Sequence, residues 1–138
     1  MHTLSFRTSN VTDANACLEI IAHATKKCKI REIAISQVTA AATVIGLGRP
    51  AAKGITPTTP RPALREDSGL ASGGTTGAVA WGTGPTVPAQ FMRRISFPAT
   101  IGQRIVWTWE KNDELIVVAS ASIVLWNILG GATLDVTV

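Results

Sequence analysis

What most constrains this chain is the rhythm of its apolar residues. They come in short alternating or continuous runs cut by Gly, Pro and Asn, and no stretch shows the spacing of an amphipathic helix. The closing ATLDVTV is the plainest case: Leu134, Val136 and Val138 point one way, Thr133, Asp135 and Thr137 the other. Near the start, Leu4-Ser5-Phe6-Arg7 alternates before the turn chemistry of SNVTDAN. CLEIIAHA (17–24) admits a short helix capped by Thr12 or Asp13 as well as a strand; a strand is expected because its neighbours are strands. CKIREIAISQV, with Ile33 and Ile35 on one face, and TVIGLGRP after a break read as two antiparallel strands. FMRRISFP has apolar ends around Arg93 and Arg94, and IVWTWE sets Ile105, Trp107 and Trp109 against Val106 and Thr108. LIVVASASIVLWNI, bounded by Asn112-Asp113 and Gly130-Gly131, reads as paired strands in a core.

This succession of about eight or nine short strands predicts an all-β chain, an antiparallel β-sandwich or barrel. Parallel α/β folds are disfavoured, because no helix of about ten residues separates the strands. A length of 138 residues suits one domain over 1–138 with one main core. The apolar fraction of 46%, carried by Ala, Ile, Val and Leu, excludes disorder of the chain as a whole.

The exception to the rhythm is a long central loop, 50–90, which holds all of the seven prolines but Pro98. So long a connection inside a compact domain signals function or disorder. Pro57, Pro60 and Pro62 fix φ and remove backbone donors, which makes TPTTPRPA stiff and extended. SGLASGGTTG bends at its glycines, and AVAWG (78–82) is expected to form a short strand whose Trp81 anchors the excursion. A stiff arm with a flexible return suits contact with a neighbouring molecule.

Chemistry is thin. His2 and His23 are isolated, no nucleophile motif or zinc spacing is present, and no catalytic, cofactor or metal residues are assigned; the chain is not expected to be an enzyme. SGGTTG (72–77) lacks the Lys of a phosphate loop and reads as a turn; Asp113 and Glu114 read as solvated turn acids. Trp107 and Trp109 share a strand face, where inward packing is the expectation. Cys17 and Cys28 are expected as reduced thiols, with a bridge open only if they lie on neighbouring strands.

The charged fraction of 16%, well below the usual quarter, implies a surface partly covered by partners. Net charge is +4, and the one dense basic run, Lys26, Lys27, Lys29 and Arg31, reads as a solvated strand edge. A basic nucleic-acid-binding β-barrel built on that run is an alternative that is not favoured. The N-terminus lacks the pattern of a secretory signal, and no run approaches the ~18 apolar residues of a membrane helix. No membrane contact is expected.

The order of the pieces resembles a known group. An opening strand, VTDANACLEIIA, CKIREIAISQV, the TPTTPRPALREDSGLASGGTTG loop, FMRRISFPATIGQRIVWTWEKNDELIVVASASIVLWNI and a closing TLDVTV strand resemble small structural proteins from the head and tail genes of tailed bacteriophages. The resemblance implies a jelly-roll-like sandwich and a virion subunit made in the host cytoplasm, and points to a decoration or cement protein on the capsid surface. Its partners would be the major capsid protein and copies of itself, a homotrimer at a local threefold being the natural assembly. The partner contacts are then assigned to the loop, at Pro57, Pro60, Arg61, Pro62, Arg65, Glu66, Asp67 and Trp81. The alternative within the virion is a tail fibre or spike recognising a host glycan through Trp107 or Trp109.

Overall fold

The computed structural model describes residues 1–8, 13–66, 69 and 73–138. The elements among them are all strands. In chain order they are β1 (His2–Thr3), β2 (Ser5–Arg7), β3 (Asn15–Ile21), β4 (Cys28–Ile30), β5 (Glu32–Gln37) and β6 (Thr43–Gly48). The central loop adds β7 (Ile55–Pro57), β8 (Arg61–Pro62), β9 (Leu64–Arg65), β10 (Thr76–Ala78) and β11 (Trp81–Thr83). β12 (Phe91–Phe97), β13 (Arg104–Thr108), β14 (Leu115–Val117), β15 (Ser122–Gly130) and β16 (Leu134–Thr137) complete the chain.

Two antiparallel sheets carry the fold. One is six-stranded, in the order β12-β6-β15-β3-β10-β8; the other is four-stranded, in the order β13-β5-β16-β2. The second is prolonged at both ends. β4 continues β5 across Arg31, whose carbonyl accepts the Trp109 N–H, and pairs with β14 just as β5 pairs with β13. β2 pairs with β16, and Leu4 and Val138 exchange both backbone bonds at 2.8 Å, so β1 continues β2 past the end of β16 and pairs there with β9. Between the main strands the chain crosses from one sheet to the other except from β13 to β14, which stay in the smaller layer, and from β6 to β12, which are neighbours in the larger. The central excursion is therefore an insertion between two paired strands. The strand order is consistent with the jelly-roll-like sandwich expected from the sequence.

One apolar cluster draws on both sheets. Leu18, Ile20, Ile45, Leu47, Ile123 and Leu125 come from the larger, and Phe6, Ile33, Ile35, Trp107, Leu134 and Val136 from the smaller. Burying a side chain of this size is worth about 1.5–3 kcal/mol. The expected facing of Leu134, Val136 and Val138 is observed: the first two are core and Val138 packs against it.

Two pairings differ from expectation. CKIREIAISQV and TVIGLG are both antiparallel strands but do not neighbour one another, because the chain changes sheet between β5 and β6. LIVV and SIVLWNI likewise part company: β14 pairs with β4, and β15 with β3 and β6. Periodicity reports that a segment is a strand and which side is wet, but carries no information on its partner.

Candidate functional site

The excursion is stitched to both sheets. β7 pairs with β11, placing Pro57 opposite Trp81, and the Thr58 N–H donates to the Ala80 carbonyl. β10 lies along β3, and β8 along β10. Three residues further on, β9 pairs with β1, so 61–65 leaves the six-stranded sheet and joins the edge of the other layer. The pivot is Ala63, 3% exposed, whose N–H donates to the Thr75 carbonyl. Pro62 is tolerated here because β8 is the outermost strand, where a missing donor faces solvent. The prolines thus lie on or beside strands paired with the chain's own backbone, and not on a free arm.

A second part of the excursion roofs the outer face of the six-stranded sheet. Glu19 on β3 points outward yet is 0% exposed. Its carboxylate accepts the Gly54 N–H with both oxygens at 3.1 Å and the Ser122 hydroxyl at 2.5 Å. A Cβ on Gly54 would overlap the Trp81 ring and press on Glu19 Oε2, so only glycine lets the backbone come this close. Trp81 is half-buried, and its buried indole N–H has no hydrogen-bond partner among the described residues. Beside Glu19 on the same face, Ala78 and Val124 are also 0% exposed. Further along, Gly46 leaves room for the Phe91 ring, which lies where a Cβ would stand.

Arginine–aromatic contacts close both open sides of the sandwich. On the excursion side the Arg61 guanidinium lies 5.8 Å from the Phe6 ring centroid. On the other side Arg93 of β12 stacks on Trp109 at 4.5 Å and donates to the Thr108 carbonyl at 3.3 Å, bridging one sheet edge to the other.

The contact residues expected from sequence fall into two sets. Pro57 and Trp81, half-buried, belong to the roof. Pro60, Arg61, Pro62 and Glu66 are exposed along the stitched edge. Glu66 accepts the Thr3 hydroxyl at 3.0 Å, tying the edge to the N-terminal strand. Arg65 is half-buried there, its Nε without a partner among the described residues. Together with burial, its charge holds the His2 imidazole below its ordinary pKa, burial being the larger cause. Asp67 lies outside the described residues. Sequence reasoning missed Glu19, Gly54 and Ser122. The available signal was a lone carboxylate inside CLEIIA, a run too apolar for a half-wet strand.

Trp107 is 6% exposed and faces the core, and Trp109 packs against the same cluster, so the pair offers no open stacking platform. Both cysteines are free. Burial pushes the Cys17 thiol up to about 12 and raises Cys28 as well, which suppresses the thiolate. Lys26, Lys27 and Arg31 are exposed, and Lys29 pairs with Glu114 at 3.5 Å. Among the described residues no three His, Cys, Asp or Glu side chains gather as metal ligands, and no helix is long and apolar enough to cross a membrane. No protein-family description, characterised protein or solved structure matches the chain.

Proposed function

We propose that this chain is a non-enzymatic structural subunit of a tailed-phage virion, a decoration or cement protein that binds the major capsid protein on the assembled head, as a homotrimer at a local threefold. The observation that supports this reading best is the stitched edge. Leu64, 69% exposed, and the exposed Arg61 and Pro62 sit on paired strands of that edge, with exposed Pro60 and Glu66 flanking them, and Ile55, 64% exposed, stands on the paired β7 of the adjoining roof. Exposed apolar side chains on pre-ordered backbone favour binding, since little conformational entropy is lost on docking. Many such contacts repeated by symmetry would hold a cement protein without any one strong site.

Deleting the excursion is the wrong test, because β8, β9 and β10 are part of the sheets. The double variant Ile55→Glu/Leu64→Glu changes only exposed side chains. Its occupancy on purified heads of the same phage should fall at least tenfold while its thermal unfolding stays that of the parent. Unchanged occupancy at equal folding would remove the edge from the contact.

A further inference from the structure

Where β6 runs into the excursion and β14 turns into β15, the surface is concave. The cleft measures about 340 Å3, and its walls include Arg49, Lys53, Val118, Ser120, Ala121 and Ser122. Its cations are unspent: the ion pairs among the described residues, Arg7–Asp135 and Lys29–Glu114, involve neither Arg49 nor Lys53. Arg49 is held at the rim, its Nη2 donating to the Ile116 carbonyl at 2.8 Å, which leaves other guanidinium donors for a ligand. The floor is fixed too. Ser120 donates its N–H to the His23 carbonyl and its hydroxyl to the Ala24 carbonyl, both at 3.0 Å. That packing sets the cleft beside the turn bearing the exposed Lys26 and Lys27. The nearby carboxyl is Glu19, behind Ser122, but its oxygens are engaged by Gly54 and Ser122. Two cations lining the cleft, and two more nearby, outweigh it.

We infer that this cleft, lined by Arg49 and Lys53, seats an acidic side chain of a protein partner, an Asp or Glu flanked by an apolar residue. Arg49 supplies a planar fork suited to a carboxylate, and Lys53 a second charge lining the same cleft. Val118, 58% exposed at the lip, and Ala121 provide the apolar contact. A nucleic-acid strand would need a continuous basic groove with exposed aromatics for stacking; the lining here has no aromatic residue, and the space is that of a few side chains. The identification of the partner as a capsid subunit rests on the function proposed above, whereas the chemistry of the cleft does not.

The test uses a blocked peptide of three glutamates next to valine, with its glutamine counterpart, inorganic phosphate and a single-stranded oligonucleotide as comparisons. In low salt the glutamate peptide should bind and shift the amide resonances of Lys53, Ser120, Ala121 and Ser122, and the glutamine peptide should not. Lys53→Gln, at an exposed position, should weaken it about threefold, and Arg49→Gln/Lys53→Gln about tenfold. Added salt should weaken it in the wild type. The inference is overturned if the glutamate peptide leaves these resonances unmoved, if Lys53→Glu binds it as well as the parent, or if the oligonucleotide or phosphate binds this cleft more tightly. Failure of the wild-type protein to bind heads would sink the capsid reading but not the cleft. Peptide binding lost in Lys53→Glu with head occupancy unchanged would show that the capsid is not the partner that uses it.

Discussion

On the four-stranded sheet the outward side chains of β2 and β16 meet one another in solvent: Ser5 and Thr137 share a hydrogen bond at 3.2 Å, and Arg7 grips Asp135 with two bonds at 2.7 Å. On the six-stranded sheet the outward Glu19, Ala78 and Val124 lie at 0% exposure beneath Gly54 and Trp81. The wet face is stabilised from within its own ladder, by contacts that salt and water weaken. The roofed face depends on a segment outside its own ladder, around Gly54, and that cover keeps the Glu19 carboxyl out of water. A buried carboxyl is costly unless its oxygens are engaged, and here one donor, Gly54, comes from the roof and the other, Ser122, from the neighbouring strand β15.

Breaking the roofed face should cost most. Val124→Asp would place a second carboxylate beside Glu19 with no donor to spare, and should cost more than about 4 kcal/mol in chemical denaturation or prevent folding. A loss below about 1 kcal/mol would mean that this face is not covered.

Next come the contacts that join roof to sheet. Glu19→Gln keeps the shape but weakens the acceptor for Gly54 and Ser122; Gly54→Ala forces the Trp81 ring aside. Each should cost about 1–3 kcal/mol. Made together they should be less than additive, because either loosens the same contact.

The wet face should respond to pH and salt instead. The hydrogen bond from Arg7, and secondarily its charge, hold the Asp135 carboxyl below its ordinary value of 3.8. A lowered folded-state pKa stabilises the fold above the unfolded value and is lost as pH falls through the folded one, so this contribution disappears only in strong acid. Following Asp135 by NMR should give a midpoint below 3.8, moving up toward it in Arg7→Gln and in high salt. A midpoint unmoved by Arg7→Gln would dissolve the pair. The smallest effect is expected from Ser5→Ala, within about 0.5 kcal/mol in the same denaturation assay.

The same contrast explains what the sequence disclosed. ATLDVTV and IVWTWE alternate because one side is wet, and their facings were read correctly. Every long strand was located, since β-branched runs between Gly, Pro and Asn specify extended chain whatever covers it. What stayed hidden was non-local. The partners of β5, β6, β14 and β15 depend on where the chain changes sheet, which no local pattern records. CLEIIA lost its alternation because both of its faces are buried, and Glu19 drew no functional reading. The prolines pointed to an extended arm, but Thr56 and Thr59 adopt left-handed φ values of 52° and 51°, which bend the segment back so that Arg61 and Pro62 lie against β10 of the chain's own sheet.

The central claim is that residues around Gly54 form a fixed roof on the six-stranded sheet, held through Glu19. Amide hydrogen exchange at Gly54 tests it most directly. The account predicts that this amide exchanges far more slowly than a free peptide, that Glu19→Gln removes most of that protection, and that Val136 in the other sheet is unaffected by the substitution. Exchange of Gly54 at the free-peptide rate in the wild-type protein would contradict it.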